Sequence, residues 1–295
     1  MPQSRLGMAQ AMAGFALLSL GDAVVKTMTD EWPSTAIAAT RYALGALGLA
    51  VLLAHRQGPG HLFPAEPRLH LLRGFAVALA TTGFFAALMF MPLAEATAIT
   101  FTSPMLTALL AGPLLGERVR ARTVLATLIA FAGVLVVLRP GLLTLGWPAL
   151  LPLLSAVGMS LLMIGNRKVA GRASPLAMQA WVALFAAPLL VSIAVAGHFA
   201  GGDGLRMSWP DWTVIARCAV VAASASTAHW LIYLGTTRAG AARVAPMTYV
   251  QLLVATIVGW LGFGHLPDAA TVAGAAVIVA AGIGLWRAER AEAAR

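Results

Sequence analysis

Stretches of roughly 18 to 25 mostly apolar residues succeed one another along nearly the whole chain, each enough to cross a ~30 Å hydrocarbon core at 1.5 Å per residue. Ten spans are predicted, at about 7–28, 33–54, 71–91, 93–115, 121–139, 147–166, 174–197, 212–236, 241–263 and 269–287. The polar breaks between them are short. Arg5 followed by the apolar run from Met8 to Leu20 imitates a signal peptide, but Asp22 and Lys26 stand where small cleavage-site residues belong. The run is therefore read as the first span, and the chain as an all-α membrane protein.

Composition agrees, with 60% hydrophobic residues, 11% charged ones and a mean hydropathy of +0.84, where soluble domains carry about a quarter charged residues. A net charge of +9 raises the question of nucleic acid, but the basic residues punctuate the chain rather than forming one face. They also alternate. Arg5 precedes span 1, and Arg56, Arg68 and Arg73 follow span 2. Arg118, Arg120 and Arg122 follow span 4, while Arg167, Lys168 and Arg172 follow span 6. Arg238 and Arg243 follow span 8, and Arg287, Arg290 and Arg295 end the chain. The opposite breaks hold Arg139 and Arg206, with Asp30, Glu31, Asp203, Asp211 and Asp268. Short loops rich in Lys and Arg stay in the cytoplasm, so both termini are predicted there. Lys26, Arg41 and Arg217 fall within spans. The single cysteine, Cys218, excludes an internal disulfide and a thiolate metal cluster.

The chain also resembles itself. Leu17–Met28 (LLSLGDAVVKTM) matches Leu153–Ile164 (LLSAVGMSLLMI), and GERV from Gly116 with AGVLVVL from Ala132 is echoed by GHLP from Gly264 with AGIGLW from Ala281. Five spans per half set the copies in opposite orientations, the inverted repeat of many transporters. The halves are placed at 1–140 and 141–295.

Gly21, Asp22 and Lys26 at the end of span 1, Arg41 and Tyr42 in span 2, Pro104 before Gly116-Glu117-Arg118, and Ala132-Gly133-Val134 in span 5 give the chain its resemblance to a known group. It resembles the drug/metabolite transporter superfamily in its ten-helix EamA-type branch. That resemblance implies a basket in which spans 1, 3, 4, 6, 8 and 9 line a cavity and spans 5 and 10 lie outside. It also implies a bacterial inner-membrane carrier of small metabolites without a resident cofactor, most similar to exporters of amino acids, aromatic ones included. Uptake permeases for larger metabolites and exporters of drugs or cations are the alternatives. The chain departs from the pattern at His265, where the loop glutamate is usually repeated, and at Pro246, which stands further from Gly264 than Pro104 does from Gly116.

Ionisable residues inside a bilayer cost about 2.5 to 3.5 kcal/mol each on insertion scales, which makes them functional candidates. Asp22, Lys26, Arg41, Glu95 and Arg217 form this set, for pairing or energy coupling. Asp22 and Lys26 are spaced for a mutual salt bridge on one helix face, Arg41 is expected to pair with Asp22 or Glu95, and Arg217 and Glu95 to anchor near span ends. His229 lies near the middle of span 8 at the position of Phe85 in span 3, with Trp230 and Tyr233 following. It suits substrate binding, proton relay or a helix-to-helix hydrogen bond. Tyr249, Gln251, Thr100, Ser103 and Ser155 offer neutral hydrogen bonds to a substrate or between helices. Pro104 and Pro246 are hinges or static kinks. Trp32 and Trp181 read as belt or packing residues, and Ala276, Ala280 and Gly284 as a close-packing face within a monomer or in a homodimer.

Three functions compete. A small-molecule carrier working by alternating access predicts saturable flux, whereas a passive channel predicts a rate linear in substrate. An intramembrane enzyme lacks its signatures: Ser19 and Leu20 before Gly21-Asp22 miss GxGD, and HExxH is absent from the sequence.

Overall fold

The computed structural model describes residues 2–116, 121–144, 146–169, 171–201, 204–239 and 244–293. Glu117, Arg118, Arg120, Asp203, Arg243 and Arg295, and the side chains of Arg139, Pro246 and Arg290, lie outside the described part. Within it all regular structure is helical. The helices are α1 (Pro2–Lys26), α2 (Ser34–Gln57), α3 (Pro67–Phe90), α4 (Leu93–Thr100), α5 (Ser103–Leu115), α6 (Ala121–Thr144), α7 (Leu151–Lys168), α8 (Pro175–Ala200), α9 (Trp212–Ala239), α10 (Val250–Phe263) and α11 (Ala269–Ala293). Among the described residues seven stretches are long and apolar enough to cross a membrane, and the shorter apolar runs Val124–Val137, Met247–Phe263 and Ala269–Gly284 complete the set of ten expected spans.

Spans 4 and 9 are each broken. Span 4 divides into α4 and α5 at Phe101-Thr102, and span 9 into a 3-10 turn, Ala245–Tyr249, and α10. Pro104 sits in the first turn of α5 and Pro246 in that 3-10 turn, where a missing N–H is harmless. The prolines do not correspond, but the breaks do. Phe101 precedes Gly116 by as many residues as Tyr249 precedes Gly264, and both glycines end their helices in the left-handed conformation, at φ 73° and 69°. The rings of Phe101 and Tyr249 meet edge to face at 5.7 Å, joining the two breaks.

Packing repeats with the halves. The closest helix pairs are α1 with α9, α3 with α7, α2 with α8 and α6 with α11. Exchanging each span with its counterpart in the other half turns the first pair into the second and leaves the last two unchanged. The α3–α7 pair is antiparallel, since Arg73 reaches Asn166 while the backbone at Gly83 faces Leu151 and Ser155. Spans 1 and 3 run the same way in a half that crosses alternately, so α7 runs opposite to its counterpart α1. The halves are inverted copies.

Polar caps set several helix starts. Asp211 Oδ1 accepts from the Thr213 N–H at 2.8 Å, Asp268 Oδ1 from Thr271 at 2.7 Å, and Ser174 Oγ from Ala177 at 3.2 Å, caps typically worth about 1 kcal/mol. The α6–α11 pair closes on Gly133 and Gly274, where a side chain on either would run into the other's carbonyl. Ala276, Ala280 and Gly284 instead face outward from α11. Small residues there are not what brings the two helices together.

Candidate functional site

A cavity of about 1810 Å³ lies between the halves. It extends from Asp22 and Arg41 at one end to Arg122, Arg167 and Pro175 at the ends of α6, α7 and α8. Along α3 it is lined from Arg73 to Phe85, roughly 18 Å of helix. Spans 1, 3, 4, 6, 8 and 9 contribute, as the resemblance implied, but so do spans 2 and 7, through Arg41 to Leu49 and Pro175 to Ala183. Span 5 contributes Arg122, and no described residue of span 10 lines it.

The end beyond Asp22 is shut. Met28, Trp32, Ile37, Leu88, Met91 and Leu93 pack there in one buried cluster. Lys26 Nζ donates to the carbonyls of Leu88 and Met91, tying α1 to the end of α3. Trp32, expected in an interfacial belt, is buried and donates from Nε1 to the Ser208 carbonyl at 3.0 Å. Arg217 forms an ion pair with Glu31 and donates to the Thr27 carbonyl at 3.3 Å. Glu31 lies between α1 and α2, and the Arg217 donors hold its carboxyl below the usual carboxylate range.

His229, Gln251, Tyr249, Phe85, Thr100, Ser103, Ser155 and Pro104 all line the cavity. Trp230 and Tyr233 do not; 48% and 38% exposed, they turn to the outer surface and pack on each other at 5.8 Å. Ser155 is buried at its edge.

The embedded charges pair differently from expectation. Asp22 and Lys26 form no salt bridge, because Lys26 is taken up by the α3 carbonyls. Among the described residues Asp22 accepts only a long contact, 3.4 Å, from Gln251 Nε2, and the Gln251 carbonyl in turn accepts from Ser19 Oγ at 3.0 Å. Arg41 pairs with neither Asp22 nor Glu95. Its guanidinium lies 4.8 Å from the Tyr42 ring centre and 5.3 Å from that of Phe85, favourable cation–π contacts. Glu95 stays out of the cavity, in the first turn of α4, where the helix dipole favours an acid.

Arg73 was counted among the loop charges and belongs inside. It is 4% exposed, and its Nε donates to Asn166 Oδ1 at 2.8 Å, its Nη2 to the Met178 carbonyl at 3.3 Å, and its Nη1 contacts His70 Nδ1 at 2.7 Å. His70 is steadied edge to face by Trp181 at 4.7 Å. The available signal was Pro67: a proline favours the first turn of a helix, so α3 begins there and Arg73 lies well inside it. Gln179 and Asn166 line the same end and were likewise missed.

Two inverted five-span halves enclosing a cavity that is shut at one end and reaches the helix ends at the other are the architecture of a membrane transporter. The EamA-like transporter family matches residues 5–139 and 146–287, and the chain belongs to it. It is thus a multi-pass small-metabolite transporter of the drug/metabolite transporter superfamily. A riboflavin transporter of Rhizobium johnstonii is 29% identical, over 89% of this chain and 84% of its own. An S-adenosylmethionine uptake transporter of Rickettsia prowazekii is 26% identical over 89% and 86%. A pseudopaline exporter of Pseudomonas aeruginosa is 27% identical over 96% and 97%. A solved crystal structure superposes with a TM-score of 0.62, at 22% identity and 95% coverage of both chains, and shares the fold.

Proposed function

We propose that this protein carries an amphipathic metabolite with an aromatic or heterocyclic body, larger than a free amino acid, across a bacterial inner membrane. The observation that carries the reading is the size and lining of the cavity. Its ~1810 Å³ exceeds the roughly 300–1,000 Å³ of ordinary small-molecule pockets, and Phe84, Phe85, Phe101, Tyr42 and Tyr249 supply flat aromatic walls. Export of a single amino acid, the expectation from the sequence, leaves most of that volume to water. The larger solutes named for three relatives support the same choice. Positive-inside bias assigns both termini and the Arg73 end of the cavity to the cytoplasm.

Counterflow into proteoliposomes tests the reading without presupposing direction. Riboflavin and S-adenosylmethionine are the probes, with L-tryptophan and L-leucine as the small comparison. Saturable exchange of at least one larger probe is expected. Exchange confined to the amino acids restores the amino-acid reading, and a rate that never saturates identifies a channel.

A further inference from the structure

Asp22 and Arg41 are the two charges at the shut end of the cavity, and they face it without meeting. Among the described residues no ion pair joins them and Arg41 makes no hydrogen bond; its partners are the two aromatic faces. Both nevertheless line the same cavity. Leaving opposite charges apart at membrane depth forgoes the attraction that would offset their desolvation. The Tyr42 and Phe85 rings hold the guanidinium in place with its fork of donors uncommitted, the geometry that matches a carboxylate in two parallel hydrogen bonds. Asp22, steadied by Gln251, offers acceptor oxygens to an ammonium. Ser19 ties the Gln251 backbone to α1, so the acid and its amide support move together.

We infer that Asp22 and Arg41 form a split site for a zwitterionic α-amino-acid head group, with the carboxylate on Arg41 and the ammonium on Asp22. This rests on the transport reading above and narrows its substrate class. The rest of the solute extends toward Phe101 and Tyr249, which line the same cavity. The selected compound carries a complete amino-acid end on a large body. The same body without that end is rejected, because binding it leaves both charges desolvated and unpaired.

Compounds that share one body and differ only at the head provide the test. S-adenosylhomocysteine has the intact head, its N-acetyl derivative lacks the ammonium, its methyl ester lacks the carboxylate, and 5′-methylthioadenosine lacks the head. Binding is read from thermal stabilisation of the purified protein, and transport from competition against labelled S-adenosylmethionine in counterflow. The intact compound is expected to bind ~10-fold or more tightly than the other three. Asp22→Asn abolishes the discrimination against the N-acetyl compound, and Arg41→Gln that against the ester. Equal binding of the intact compound and 5′-methylthioadenosine overturns the site, and so does failure of the intact compound to bind at millimolar concentration. The wild-type comparison decides even if both variants misfold. Head-group discrimination in binding without counterflow of any probe supports the site and sinks the transport reading; riboflavin counterflow without discrimination does the reverse.

Discussion

The Tyr249 hydroxyl fills the space that Gly282 leaves empty: a Cβ on residue 282 would stand 2.0 Å from it. Even alanine there must displace the ring, which carries one side of the contact with Phe101 and part of the cavity wall. Gly282→Ala is therefore expected to slow counterflow several-fold in protein that still purifies as a single species. Tyr249→Phe in the same chain should restore most of the rate, since it removes the atom that clashes. A neutral Gly282→Ala, or no rescue, would show that Tyr249 does not shape the path. Arg73 poses a different single-residue question. Its removal leaves Asn166 and the Met178 carbonyl without their donor, and a broken buried polar contact costs about 1 to 3 kcal/mol. Arg73→Ala should lower the thermal midpoint, and Arg73→Lys should recover little of it, because an ammonium cannot satisfy the fork of partners the guanidinium reaches. Full recovery with lysine would reduce Arg73 to a point charge.

Element by element, the spans were legible because hydropathy over about twenty residues reports the bilayer thickness directly. Their interruptions were not. Pro104 and Pro246 marked the right neighbourhood, but the corresponding breaks fall at Phe101 and Tyr249, where the backbone changes helical form around the central aromatic pair. A proline restricts its own turn; where a helix breaks depends on what the freed backbone meets, and that lies on another span. The loop after α1 shows a readable and an unreadable part. Glu31 was visible as an acid on the Arg-poor side, but its partner Arg217 comes from α9. With its carboxyl held below the usual 4.5, Glu31 contributes stability that is present above its unfolded value and lost as pH falls through its lower folded one. Thermal stability should decline on acidification from pH 5 to pH 3, and Glu31→Gln should flatten part of that decline. The same slope in both proteins would leave the pair without a stabilising role.

For the whole molecule, alternating access, the expectation from the sequence, implies an opposite state that the inverted repeat describes as well as this one. The present closure joins Lys26 of α1 to Leu88 of α3. Under the self-alignment that sets Leu17–Met28 on Leu153–Ile164 and Phe85 on His229, their counterparts are Leu162 of α7 and Ile232 of α9, and both line the open cavity. One closure uses a cation on carbonyls, and the other would use two apolar side chains. Lys26→Met is accordingly expected to shift the resting population toward the state open at the Lys26 end. A Met28→Cys probe in a Cys218→Ser background reads this out. Met28 is fully buried, so its labelling by a membrane-impermeant maleimide should rise several-fold when Lys26 is replaced. Unchanged labelling would show that Lys26 does not hold the seal.

The sequence by itself determined the membrane class, the ten spans, the inverted halves and the family, because these depend on local hydropathy, loop charge and self-similarity. It also singled out Asp22, Arg41, His229 and Gln251, since polar groups are conspicuous in an apolar chain. Only the tertiary structure decided which of them face one cavity. It turned Trp230 and Tyr233 outward, took Lys26 from Asp22, gave Glu31 to Arg217 and brought Arg73 in from the loops. Each of those outcomes depends on the rotation and pairing of helices far apart in the chain, and a residue's own neighbours carry no record of that.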